Sequence, residues 1–225
     1  MTTANPNPYK RSLLRRERSL DTRRKLVRAA ARLWSEQGYD GTTVEEICAA
    51  AGVGRTTYYL YFESKEQLLL ELTHATARGV AGDVADAAGT GTLDGELGTF
   101  VDGLVRRMET VPKSLAALTM RHAVAGVPDH RRPTSDVVLF DDILTEILQG
   151  AQRRGEIRAD VDARQIGDVL GGATMDALQR WATERSPMSL RDALQLRIDL
   201  ILDGLRSRPA AALAGRGTRP DRRVK

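Results

Sequence analysis

The side chains with the most to offer chemically lie between Thr43 and Lys65. Arg55-Thr56-Thr57-Tyr58-Tyr59-Leu60-Tyr61 follows Gly52-Val53-Gly54, which sets a guanidinium, two hydroxyls and three phenols within seven residues. On a short helix Arg55, Thr56, Thr57, Tyr59 and Leu60 would face outward. The chemistry of such a surface is non-covalent: hydrogen-bond donors, free N–H groups at a helix start and a positive dipole end, all suited to an anion such as phosphate. Catalytic patterns do not hold up. Gly52 to Thr57 superficially resembles a phosphate-binding loop, but it lacks the Gly-x4-Gly-Lys-Ser/Thr spacing and follows a helix, not a strand. His74, His122 and His130 are too scattered to ligate a metal, and no serine sits in a nucleophile elbow. Asp141 and Asp142 are adjacent, so on a helix they point to different faces. Gly89-Thr90-Gly91 has no third glycine at dinucleotide spacing. No enzyme activity, metal or cofactor is expected.

These residues need elements to position them. From Asp21, a plausible N-cap, Leu26, Ala30, Leu33 and Trp34 mark one face of an amphipathic helix that ends at Gly38. Thr43-Val44-Glu45-Glu46 is a capping box opening a short second helix, which Gly52 and Gly54 terminate. The segment Arg55 to Tyr61 is the third helix. Ser64-Lys65-Glu66-Gln67 is a further capping box, for a long helix to about Ala88. Three helices in so short a stretch, with a Gly-containing turn between the second and third, satisfy helix-turn-helix geometry. Gly52 supplies a positive φ, Val53 points into the core, and Ala49, Ala50 and Ala51 allow close helix crossing. Tyr58, Tyr61 and Phe62 read as core, and Cys48 as a small buried hydrophobe.

Past Gly89-Thr90-Gly91 the pattern predicts five more helices: about Leu93–Val111, Pro112–Ala125, Asp136–Arg154, one opened by Asp162 and one opened by Ser189. No stretch alternates with period two. The expected class is all-α: an N-terminal three-helix helix-turn-helix domain and a C-terminal helical domain. The expected division is a basic flexible arm over 1–20, which can also extend the first helix, a DNA-binding domain with connecting helix over 21–88, a second domain over 89–205, and a disordered basic tail over 206–225.

Charge sharpens the division. The 225 residues carry a net charge of +4, but residues 81–205 are acidic, while the first 80 and the last 20 are basic. Lys10 to Arg32 alone holds ten basic side chains against two acidic ones. A polyanion-facing surface would therefore be local; a solvated helix and a loose tail would give the same clusters. A single cysteine rules out an internal disulfide. No apolar run suffices to span a bilayer, and the N-terminus lacks the apolar middle of a signal peptide. A cytoplasmic location and no membrane partner are expected.

Gly38-Tyr39-Asp40-Gly41-Thr42-Thr43-Val44-x-x-Ile47, then Ala51-Gly52-Val53-Gly54-x-x-Thr57-x-Tyr59-x-Tyr61-Phe62-x-Ser64-Lys65-Glu66-x-Leu68, resembles the DNA-binding domain of the TetR family. The match covers roughly residues 22–70. The rest is similar only in style, in Gly155-Glu156-Ile157-Arg158, an Asp-capped helix and Trp181. The resemblance implies that Thr43, Tyr59 and Lys65 contact phosphates. It places Arg55, Thr56, Thr57 and Leu60 where base edges or a thymine methyl are read. Two residues depart from the pattern: Gly54 replaces a frequent Ser or Thr cap, and Leu60 stands where His is common.

Helix-turn-helix units gain by pairing on two half-sites. The last two helices carry apolar stripes, and Gly171, Gly172 and Ala173 would allow close approach, either to a second chain or within this one. The resemblance implies a four-helix interface between two chains, hence a homodimer on a double-stranded DNA operator. It also implies an inducer cavity within residues 93–185 for an unidentified small-molecule effector. Candidate lining residues are Phe100, Leu104, Met108, Leu118, Met120, His122, Phe140, Leu144, Met175 and Trp181, each of which also suits plain core. The expected function is a ligand-responsive, sequence-specific transcriptional regulator, a repressor released from a palindromic operator. The alternative is a basic helical protein that coats DNA without sequence preference.

Overall fold

The computed structural model describes residues 8–87, 91–124 and 138–205, with side chains over 17–87, 91–122 and 138–205. Among the described residues there are nine helices and no strands. The first, α1, runs Pro8–Gln37. Residues 8–20 are helical, so this part of the basic arm extends the first helix, and Asp21 lies within α1 instead of capping its start. Pro8 is suited to a first helical position, and no other Gly or Pro interrupts the chain before Gly38. At about 1.5 Å per residue, α1 is a rod of roughly 45 Å.

The next three helices are α2 (Val44–Ala51), α3 (Arg55–Tyr61) and α4 (Lys65–Ala87). The Thr43 hydroxyl accepts from Glu46 N–H at 3.2 Å, and Glu46 Oε2 accepts from Thr43 N–H at 2.7 Å. Both arms of the expected capping box therefore form. Gly52 ends α2 at φ +65°, with Gly52 N–H donating to Ala49 O and Val53 N–H to Cys48 O. This left-handed turn excludes most other residues. Ala49 and Ala50 are exposed, so the close crossing expected of three alanines rests on Ala51 alone. At α4, Gln67 N–H donates to Ser64 Oγ, while Gln67 Oε1 accepts from Glu63 N–H, one residue earlier than the expected partner.

Then come α5 (Leu93–Met108), α6 (Lys113–Val124), α7 (Phe140–Arg154), α8 (Ala163–Ala182) and α9 (Leu190–Leu205). Pro112 lies one residue before α6, and α5 ends three residues short of Val111. The predicted start of α7 at Asp136, the break at 88–90, and the tail 206–225 lie outside the described residues.

Two apolar cores result. The smaller unites Leu26, Ala30 and Trp34 of α1 with Ile47, Cys48, Tyr58, Phe62, Leu68 and Leu69, and it also takes in Leu115 of α6. The larger spans α4 to α9 around Phe100, Leu104, Leu144, Leu148, Leu170 and Leu178. Helix α4 enters both, with Leu68 and Leu69 in one and Ala77 and Val80 in the other. Helices α7 and α8 meet at Gly167 and Gly171, one turn apart. A Cβ on Gly167 would lie 2.1 Å from Thr145 Oγ1, and one on Gly171 would lie 2.8 Å from Asp141 Cβ. Gly171 thus serves packing within the chain, while Gly172 faces open space.

Candidate nucleic-acid interface

The short α3 has two unlike sides. Tyr58 is fully buried, its hydroxyl donates to Ser64 O at 3.1 Å, and burial pushes its phenol above the ordinary range. Its ring leans on Phe62 at 5.8 Å. Phe62, also buried, lies beneath the Arg23 guanidinium, 5.4 Å from its centre. With Tyr58 turned inward, Arg55, Thr56, Tyr59 and Leu60 fall on the outer face, and Leu60 is 71% exposed. Thr57 and Tyr61 sit half-buried at the margins.

The residues expected to touch phosphate are differently placed. Thr43 is exposed, but its hydroxyl donates to Glu46 Oε2 at 2.8 Å while capping α2. These contacts hold the Glu46 carboxyl below its usual range, the hydrogen bond from the Thr43 backbone first. Lys65 Nζ donates to Tyr39 O at 2.9 Å and Thr42 O at 3.0 Å, and it lies 4.1 Å from the Tyr39 ring centre. Two of its three donors therefore pin the loop between α1 and α2 onto the start of α4. The Tyr39 hydroxyl reaches Glu66 at 3.0 Å, closing the same seam. Outside α3, Arg24 and Arg28 are exposed one turn apart on α1, where their charges act on Asp21.

Two features were not foreseen. One is Glu45, whose carboxylate pairs with Arg55 at 2.5 Å. The other is a buried carboxylate, Glu71 of α4, 3% exposed, between Arg23 of α1 and Arg78, each at 2.5 Å. Burial alone would push Glu71 up. Hydrogen bonds from His74 and Arg23 and the charges of both arginines outweigh that and hold it at about 2. A glutamate in a helical apolar pattern, with Arg78 two turns further along the same helix, was the available signal, while Arg23 lies 48 residues away. Cys48 is buried, and desolvation raises its thiol, so it is no reactive thiolate.

In the larger core, Met108, Met120 and Phe140 line a cavity of about 20 Å³ with Leu72, Thr73, Thr76, Val111 and Thr119. Space of that size holds roughly one water, and the buried Thr73 Oγ1 lacks a partner. The other expected lining residues lie elsewhere. Phe100 meets Phe140 edge-on at 6.0 Å, and Leu104 and Leu144 are closed core. Leu118 packs toward the smaller core, and His122 Nδ1 lies 3.0 Å from Leu118 O. Met175 and Trp181 are half-buried at the edge of the larger core. On α8 and α9, Val169, Leu196 and Leu200 are exposed, Leu200 at 66%.

A capped helix, a tight glycine turn and a short helix with an outward-facing polar side make a helix-turn-helix of the DNA-binding kind, and the regular elements among the described residues are all helices. The sequence model of the bacterial regulatory proteins, tetR family, matches residues 26–72. The HTH-type transcriptional repressor KstR2 of Mycolicibacterium smegmatis is 26% identical over 197 residues, covering 81% of this chain and 90% of that one. The fatty acid metabolism regulator protein of Bacillus subtilis is 21% identical over 208 residues, covering 81% and 95%. Among solved structures, FadR of Thermus thermophilus, a TetR-family repressor crystallised with lauroyl-CoA, superposes with a TM-score of 0.69. It is 25% identical and covers 84% of this chain and 97% of its own. Residues 26–72 therefore match the DNA-binding domain of the tetR family, and over most of its length the chain is similar to TetR-family transcriptional regulators.

Proposed function

We propose that this protein is a repressor that grips a palindromic operator as a homodimer and releases it when a small molecule binds. The observation that carries the reading is the two-sided α3, with Tyr58 buried and Arg55, Thr56, Tyr59 and Leu60 displayed opposite. In this reading Arg55, Thr56, Thr57 and Leu60 meet base edges, and Thr43 and Tyr59 meet phosphates. Lys65 offers its remaining donor to a phosphate while it fixes the loop that carries Thr43. Relatives named as regulators favour a role without catalysis, beside the chromosome in the cytoplasm.

Exposed Val169, Leu196 and Leu200 favour α8 and α9 as the surface on which a second copy sits. The cavity beside Thr73 favours an effector site, because its walls come from α4, α5, α6 and α7. Enlarging it would move α4, which carries Leu68 and Leu69, and α6, which carries Leu115, all three lying in the core beneath α3. A coupling of about 1–3 kcal/mol would suffice to switch occupancy. The apolar lining, and lauroyl-CoA in the Thermus relative, favour an effector with an apolar chain.

The exposed Arg24 and Arg28 would also serve a protein that coats DNA without preference. A gel shift from genome-selected fragments, with excess random competitor, separates the two readings. Retention of one palindrome, and its release by lauroyl-CoA or another apolar ligand, supports the repressor; equal binding to all fragments refutes it.

A further inference from the structure

Carboxylates are costly on a surface that meets phosphates, yet α2 presents two of them. Glu46 is committed to its own helix through the Thr43 capping box. Glu45 has no such task. Its Oε1 lies 2.5 Å from Arg55 Nη1, and each side chain is more than half exposed. The Arg55 guanidinium also lies 5.8 Å from the Tyr59 ring centre. The single cation of α3 is therefore held between a carboxylate of the neighbouring helix and a ring of its own. A restrained arginine fork loses less freedom when it docks than a free one does.

We propose that Glu45 is a specificity-determining residue of the operator contact, which aims the Arg55 fork at a guanine. Guanine is the base whose O6 and N7 together accept an arginine fork in the major groove. Where that base is present, Arg55 bridges it to Glu45. Where it is absent, the fork stays on Glu45 and meets no O6 and N7 pair, so the Glu45 charge approaches the DNA with no base contact to offset its repulsion, and the wrong site is penalised. Glu45 thus discriminates through Arg55 without needing to touch a base. The inference rests on the proposed operator binding, and its test separates the two.

The full-length protein and its Glu45→Gln, Glu45→Ala and Arg55→Ala variants would be put through selection from random DNA, then competition binding. The wild type should select a G·C pair in each half-site whose preference Arg55→Ala abolishes. Both Glu45 variants should weaken the preference at that same pair by about tenfold and leave other positions intact. They should also bind random DNA several-fold more tightly at low salt, since one repulsive charge is gone. Adding Glu45→Ala to Arg55→Ala should bring no further loss of preference. Melting temperatures should stay level, because so exposed a pair contributes little to folding, which separates this role from a structural one. If Glu45→Ala tightened binding to every sequence equally and kept the full guanine preference, the inference alone would be overturned. A wild type that selected no motif would overturn the operator reading and this inference with it.

Discussion

Glu71 joins α1 to α4, and replacing it with glutamine tests how the DNA-binding helices are fixed to the rest of the molecule. Its carboxylate is 3% exposed and flanked by Arg23 and Arg78. A shift from the ordinary 4.5 to about 2 corresponds to about 3 kcal/mol of stability at neutral pH. Both arginines are over a third exposed and partly screened, so Glu71→Gln should cost about 2 kcal/mol. The sign of the pH dependence follows from the depressed folded value. The stabilisation is complete above about 4.5 and is lost as the pH falls through about 2. Urea titrations at fixed protein concentration, at pH 7 and pH 3, would read both effects. The gap between wild type and variant should shrink by more than half at pH 3, where the unfolded chain is already protonated. Equal midpoints at pH 7, or a gap that does not change with acid, would refute the reasoning.

Gly167→Ala should destabilise by about 1–3 kcal/mol, because its Cβ would meet Thr145 Oγ1 at 2.1 Å between two packed helices. Thermal melts read this, and an unchanged melting temperature would mean α7 and α8 separate freely. Leu200→Lys places a charge on an exposed apolar face of α9 and should convert dimers to monomers in sedimentation without lowering the helical signal. Persistence of the dimer would move the interface elsewhere. Lys65→Met removes the donors to Tyr39 O and Thr42 O and should lower stability by about 1–3 kcal/mol. It should also weaken specific and random DNA by the same factor. Weaker DNA binding with unchanged melting would instead assign Lys65 to phosphate alone.

Much of this molecule was readable from local order along the chain. Thr43 with Glu46, Gly52 after three alanines, and Tyr58 amid outward-facing neighbours are signals within one or two helical turns, where backbone geometry acts directly. Helix ends in the second half followed from Asp162, Ser189 and Pro112 to within a few residues. Side-chain partnerships between distant segments were not readable in this way. Arg55 finds Glu45 because two short helices cross, and Lys65 closes on carbonyls 23 and 26 residues earlier. Gly171 was equally fit for a neighbour in the same chain or in another, and only the path of α7 assigns it to the former. The candidate pocket residues lie in the right half of the chain, yet packing closed most of them into core and left space beside only Met108, Met120 and Phe140. Periodicity tells which side of a helix turns inward. What that side meets, and how tightly, depends on where the other helices run.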